Sequence, residues 1–152
     1  MSRILVTGAA GQIGSELVPA LRERFGDGNV VAAVHRTPLP ADVKDAGPWT
    51  SIDVADYGQI DAATREYEIG IVYHMSSILS ALAESQRQIA HRVNINGLVN
   101  VLEAATNNGL ERVIVPGSIA AFGPETPRQH TPNDTIQKPN TLYGISKVFT
   151  EL

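Results

Sequence analysis

Apolar residues along this chain gather into short, nearly continuous runs, separated by stretches with a helical period. "RILVT" (Arg3 to Thr7) is one such run, rich in strand formers and ended by glycine. From Gln12 the period changes, and Ile13, Leu17, Val18, Leu21 and Phe25 fall on one helical face. Pro19 sits inside that helix and should bend it slightly, because it removes a backbone donor. "FGDGN" reads as a turn, "VVAAV" (Val30 to Val34) as a second strand, "RTPLPADVKDAGP" as loop and "WTSID" (Trp49 to Asp53) as a short third strand. "DYGQIDAATREYE" predicts a helix and "GIVYHM" (Gly70 to Met75) a fourth strand. A long helix is predicted from about Ala81 to Asn108, ending at Asn-Gly, and "RVIVPG" (Arg112 to Gly117) predicts a fifth strand. A Pro-rich loop follows from Ser118 to Thr141, and a last helix opens in "TLYGISKVFTEL".

Strands that are apolar throughout, alternating with helices, imply an α/β protein: a doubly wound parallel sheet of about five strands with helices on both faces. A chain of 152 residues is one ordinary domain. Charged residues make up only 18%, which leaves room for apolar surface that a further lobe would cover. The net charge of −4 and the singly scattered Lys and Arg argue against a nucleic-acid partner. With no cysteine, disulfides and thiolate metal sites are excluded, and a cytoplasmic location is expected. "MSRILVTG" runs straight into a strand pattern without a signal peptide, and no apolar run approaches the roughly 18 residues of a membrane span. His35, His74, His91 and His130 lack metal-ligand spacing, so no metal is expected; His74 ends a strand and reads as structural.

"TGAAGQIG" places Gly8, Gly11 and Gly14, with Gln12 and Ile13 among them, between the first strand and the first helix. Gly8 permits a tight turn, Gly11 a close backbone approach to a pyrophosphate, and Gly14 close packing of helix on strand. Phosphates would then lie at the helix N-terminus, where free N–H groups and the dipole favour anions. The strand before and the helix after meet the context that this motif requires, so the sheet is read as Rossmann-type. The competing reading is a strand–helix turn with incidental glycines.

The spacing T-G-x-x-G-x-x-G resembles that of the extended short-chain dehydrogenase/reductases, the NAD-dependent epimerase/dehydratase superfamily. "ILVTGAAGQIGSELVPALRERFG", "YHMSSILSALAE", "SIAAFGPETP" and "TLYGISK" together look like the short-chain type of L-threonine 3-dehydrogenase. The likeness covers the whole chain but only the first half of such an enzyme. It implies an oxidoreductase that passes hydride from the secondary alcohol of L-threonine, an amino acid substrate, to NAD(P), giving 2-amino-3-oxobutyrate. It also implies about as much chain again, with the last strands and a substrate-binding lobe. Residues 1–152 are then expected to be an incomplete NAD(P)-binding domain that alone binds dinucleotide weakly and turns over little. The superfamily often dimerises through its two long helices, so a homodimer is a further expectation.

The choice of dinucleotide is open at this level. The resemblance implies NAD, whose ribose is usually met by a carboxylate ending the second strand. Here that position holds Val34, which neither bonds a 2′-hydroxyl nor repels a 2′-phosphate, and His35 and Arg36 follow. An arginine fork suits a phosphate, so NADP is tolerated; alternatively Arg36 stacks on adenine or lies in solvent. Asp53 and Val54 resemble the family's adenine-edge contact, against a reading of Asp53 as a helix cap or loop acid.

The resemblance also assigns a reacting centre: Ser118 after the fifth strand, then Tyr143 and Lys147 in Y-x-x-x-K. Residues four apart share a helix face. A phenol is a poor base at neutral pH, and an adjacent ammonium together with a positive nicotinamide ring favours the phenolate. Lys147 would also hold the nicotinamide ribose, Ser118 the substrate oxygen, and Ser80 the amino or carboxyl end of the substrate. Asn94 matches a family asparagine near the active site. Gly117 departs from the family, which more often has a second serine there. "PETPRQHTPNDT" reads as an active-site lid or an exposed loop. Two other functions compete: a nucleotide-sugar epimerase or dehydratase, and a non-catalytic dinucleotide-binding module. "LSALAE", and Ile119 and Ala120 where dehydratases tend to carry acids, disfavour the first; the retained Tyr143–Lys147 pair disfavours the second.

Overall fold

The computed structural model describes residues 2–152. Its strands are β1 Arg3–Thr7, β2 Val30–Val34, β3 Trp49–Ser51, β4 Ile69–His74 and β5 Arg112–Ile114. Its helices are α1 Gly14–Phe25, α2 Ala41–Ala46, α3 Tyr57–Glu66, α4 Ser80–Ser85, α5 Arg87–Ala90, α6 Gly97–Asn108 and α7 Leu142–Glu151. The five strands form one parallel sheet in the order β3-β2-β1-β4-β5. The chain builds outward from β1 through β2 to β3, then returns to the other side of β1 with β4. Thr7 therefore lies between Ala33 and His74. A reversal of this kind opens a crevice at the carboxyl ends of the two central strands.

Alternate strand residues feed two cores. Leu5, Val31 and Val72 meet Ile60 and Ala63 of α3 and Val101 and Ala104 of α6. Ile4, Val6, Val30 and Ala32 meet Val18 and Leu21 of α1 and Val43 of α2. Burial on both faces is why these strands read as unbroken apolar runs rather than as alternating ones. Helix α1 continues through Pro19, while Ile13, placed on its apolar face by period, precedes the helix and is exposed. No helix among the described residues is long and apolar enough to cross a membrane.

The structure departs from the expected elements in three regions that bear on the site. The stretch read as loop before β3 contains α2, docked by Val43 and by the buried Arg22, whose guanidinium donates to the carbonyls of Val30, Val43 and Pro48. The single long helix is broken: Gln86 adopts an extended φ of −125° between α4 and α5, and His91–Asn96 forms a π-helical segment before α6. Strands β3 and β5 end early, at Ser51 and Ile114, leaving Asp53 and Ser118 on loops. Pro116 has no N–H to extend the β5 ladder.

Candidate active site

The turn after β1 is shaped by what its glycines lack. Gly8 has a φ of +66°, and a Cβ there would lie 2.8 Å from the amide nitrogen of Ser76, just past β4. Both the left-handed backbone and the close approach require glycine. A Cβ on Gly14 would strike the carbonyl oxygen of Gly8, so the start of α1 presses directly on the turn. The Gly11 amide donates to Gly8 O at 2.9 Å and closes the loop. The amides of Gln12, Ile13 and Gly14 make no backbone hydrogen bond among the described residues. A helix N-terminus with unpaired donors suits an anion, and the chemistry of this loop fits a dinucleotide pyrophosphate.

A cleft of about 260 Å³ opens beside this turn. Val34 at the end of β2 and residues 35–37 after it, 52–54 after β3 and 75–78 after β4 line it together with Gly8 and Gly11. Among the residues singled out from sequence it gathers Gly8, Gly11, Arg36, Asp53 and Val54; Ser118, Tyr143 and Lys147 stand outside its lining. Val34 is buried at the end of β2, and His35 and Arg36 are exposed. Asp53 does not cap α3; Asp56 does, accepting from the Gln59 amide. The Asp53 carboxylate instead accepts from the Ala55 amide at 3.0 Å and pairs with Arg92 at 3.6 Å and His35 at 4.0 Å.

The second group of residues lies at the carboxyl end of β5. Thr141 caps α7 by accepting from the Gly144 amide, which places Tyr143 in the first turn and Lys147 one turn later. A Cβ on Gly144 would collide with Ala120 O, so glycine lets α7 press onto the 3₁₀ turn Ile119–Ala121. Ser118 caps that turn, its Oγ accepting from the Ala120 amide at 3.2 Å. Lys147 is buried, donates to Pro116 O at 3.0 Å, and holds its Nζ 5.7 Å from the centroid of the Tyr143 ring. Burial holds the Lys147 ammonium below the usual lysine range, while Glu151 pulls the other way. The Tyr143 ring is half-buried and its hydroxyl has no partner among the described residues. At Gly117 a Cβ would meet the Glu151 carboxylate at 2.8 Å, so a serine there would displace that side chain.

His74 and Asn94, both singled out from sequence, connect the two groups together with Thr7 and Arg92, which sequence did not single out. His74, at the end of β4, is buried and shares a hydrogen bond of 2.9 Å with Thr7 Oγ1, which also accepts from the Ser76 amide. Burial first, and the nearby Lys147 charge second, depress the His74 pKa to about 4. The π-helical segment sends successive side chains in different directions. Arg92 reaches Asp53, Val93 lines the cleft, and the buried Asn94 faces the β5 side. Asn94 donates to Ile78 O at 3.0 Å and Ser146 Oγ at 3.2 Å, and accepts from the Ile78 amide at 2.7 Å. It therefore ties the loop after β4 to α7. Extra-wide helical turns of this kind often mark functional sites.

Ser80 is the exposed first residue of α4, where the cap position is Leu79; its hydroxyl has no partner among the described residues. The stem of the long loop is closed: Gly123 abuts Lys138 O, where a Cβ would not fit, and Lys138 pairs with Glu125 at 2.9 Å. Its tip, residues 127–134, is exposed. No group of His, Asp and Glu arranged to hold a metal occurs among the described residues.

The sequence profile of the NAD dependent epimerase/dehydratase family matches residues 4–152. An "Uncharacterized epimerase/dehydratase" of Staphylococcus epidermidis is 44% identical over 152 residues, which is 100% of this chain and 48% of that protein. The "L-threonine 3-dehydrogenase, mitochondrial" of Bos taurus is 44% identical over 150 residues, 99% of this chain and 40% of that protein. The X-ray structure of L-threonine dehydrogenase from Clostridium difficile superposes with a TM-score of 0.94 at 42% identity, over 99% of this chain and 47% of that one. The chain thus spans about half the length of the relatives it matches.

Proposed function

We propose, from the premise that this chain belongs to the NAD dependent epimerase/dehydratase family, that it supplies the dinucleotide-binding domain and reacting residues of an NAD(P)-dependent dehydrogenase. The substrate in this reading is the secondary alcohol of L-threonine, and the product is 2-amino-3-oxobutyrate. Two dehydrogenases named for L-threonine, at 44% and 42% identity, support that choice. Residues 1–152 form the nucleotide-binding part, and a separate substrate-binding lobe completes the pocket.

The observation that carries the proposal is the buried Lys147 beside the Tyr143 ring, on a helix pressed against the Ser118 turn. A bound nicotinamide ring supplies the hydride acceptor. Gly8, Gly11 and Gly14 shape the loop whose Gln12 and Ile13 amides receive the diphosphate, and Asp53 and Val54 border the adenine. Ser118 has one lone pair on Ala120 N–H, which leaves its hydroxyl hydrogen to orient the substrate oxygen. Tyr143 Oη takes the substrate's hydroxyl proton. Lys147, fixed by Pro116 O, keeps a positive charge beside the phenol in a site of low dielectric, where such a charge acts strongly. The exposed Ser80 is available to a substrate carboxylate or ammonium.

The test is reduced-nicotinamide formation with L-threonine, measured alongside NADH binding, for the protein joined to its substrate-binding lobe and for the Tyr143→Phe variant of that same protein. Loss of a proton-transferring group should lower turnover by roughly 10²–10⁴-fold with binding nearly unchanged. Unchanged turnover in Tyr143→Phe would remove the catalytic reading and leave a dinucleotide-binding module. Faster consumption of a UDP-sugar than of L-threonine would move the substrate to the epimerase side of the family.

A further inference from the structure

We infer that Glu84 is a positioning residue: its carboxylate clamps α4 to the first turn of α7, so that Ser80 and Tyr143 are held at a fixed separation. This rests on the reading above, in which Ser80 meets the amino or carboxyl end of the substrate and Tyr143 its hydroxyl, and adds what sets the distance between them.

Little else fixes α4. It is six residues long, too short to hold as a helix in isolation. Ala83 is its one buried residue, and Gln86 turns the chain away before α5. Ser80 opens the helix and Glu84 lies four residues on, so the two share a face. The Glu84 carboxylate accepts from the amide of Leu142, the first residue of α7. That amide is one of those a helix start leaves without an internal acceptor, and the positive end of the helix dipole strengthens a bond to a carboxylate. Thr141 takes the Gly144 amide, so two acceptors from different elements hold this one turn, with Tyr143 between the amides they bind.

A second clamp stands at the other end of the same segment. Asn94 holds the amide and carbonyl of Ile78 and reaches Ser146 Oγ. Leu142 and Ser146 are four apart, on one face of α7, and Tyr143 and Lys147 form the neighbouring stripe. Residues 78–84 are thus fastened along that face at both ends, with Ser80 between the fastenings. Without Glu84 the Asn94 clamp and the buried Ala83 remain, and the far end of α4 is released. Reaction of a bound alcohol depends steeply on such separations, since a misplacement of about 1 Å can cost about a hundredfold.

The experiment measures kcat and KM for L-threonine, and the Kd of NADH, on the protein joined to its substrate-binding lobe. The variants are Glu84→Ala, Glu84→Gln, Ser80→Ala and the combination of Ser80→Ala with Glu84→Ala. Glu84 is exposed, so its substitution leaves the core untouched. Glu84→Ala should lower kcat/KM for L-threonine by about tenfold or more while the Kd of NADH moves by less than about threefold. Glu84→Gln, whose amide oxygen still accepts from the Leu142 N–H, should recover most of that loss. Once Ser80 is removed nothing is left to position, so Glu84→Ala should cost less than about threefold in the Ser80→Ala background. A native protein that oxidises L-threonine and keeps its kcat/KM in Glu84→Ala overturns the inference and leaves the proposed function standing. So does an equal loss with and without Ser80, which would mark a general weakening of α7, and so does a Glu84→Gln variant no better than Glu84→Ala. A native protein that does not oxidise L-threonine overturns the proposed function and the inference together.

Discussion

The two working ends of the sheet are built by opposite means. The turn between β1 and α1 owes its shape to missing side chains: Gly14 lets α1 press on the Gly8 carbonyl, and Gly8 lets the turn press on the backbone of Met75 and Ser76. The centre beyond β5 owes its shape to side chains that arrive from far along the chain. Asn94 bonds Ile78 and Ser146, and Lys147 bonds Pro116. The first end is rigid because nothing can move without backbone overlap. The second is rigid only while each polar group keeps its partner. Damage at the first should therefore appear as steric strain, and at the second as unpaired hydrogen bonds.

Substitution of Gly14 by Val tests the steric end most severely, because the added atoms fall on the Gly8 carbonyl and neighbouring backbone. A loss of stability of at least about 3 kcal/mol is expected in urea unfolding, with NADH binding lost as well. A variant that folds normally and still binds would break the comparison. The next effect is pH-dependent. His74 titrates at about 4 in the folded chain, against an ordinary 6.5. Above about pH 6.5 it is neutral whether folded or unfolded. As pH falls from about 6.5 to 4, the unfolded histidine takes up a proton that the buried one refuses, so stability drops, by up to about 3 kcal/mol. His74→Gln should flatten that part of the stability curve; an unchanged slope would show that His74 titrates freely.

The smallest of these effects concerns the polar end. Asn94→Ala strands the Ile78 amide and carbonyl and removes the bond that Ser146 Oγ accepts, while Ser146 still donates to Tyr143 O, at a cost of about 2 kcal/mol. Faster hydrogen exchange at the Ile78 amide should accompany it, whereas exchange in the Gly8–Gly14 turn should not change. Equal acceleration at both places would mean that the two ends are not independent.

What could be read in advance follows the same division. The central strands β1, β2 and β4 were legible because core residues line both of their faces, whereas the edge strands β3 and β5 are only partly buried; the glycine triplet was legible because its geometry depends on spacing within one turn. The pairing of Tyr143 with Lys147 was legible for the same local reason. Helix α2 was hidden in a Pro-rich stretch, since Val43 is its one buried residue and Arg22, nineteen or more positions earlier in the chain, helps dock it. The break at Gln86 carries no glycine or proline to announce it. The π-helical segment is fixed by what Arg92 and Asn94 reach in space, and no local pattern encodes Asp53, Ile78 or Ser146 as their partners. His74 could be recognised as structural from its place at a strand end, but its bond to Thr7 needed the β1–β4 register.

The most direct measurement is a structure of the protein with a reduced dinucleotide soaked in. The account predicts the diphosphate against the amides of Gln12 and Ile13, the adenosine between Arg36 and Asp53, and the nicotinamide ring beside the hydroxyl of Tyr143. A ligand bound elsewhere, or a ring directed away from Tyr143, would contradict it.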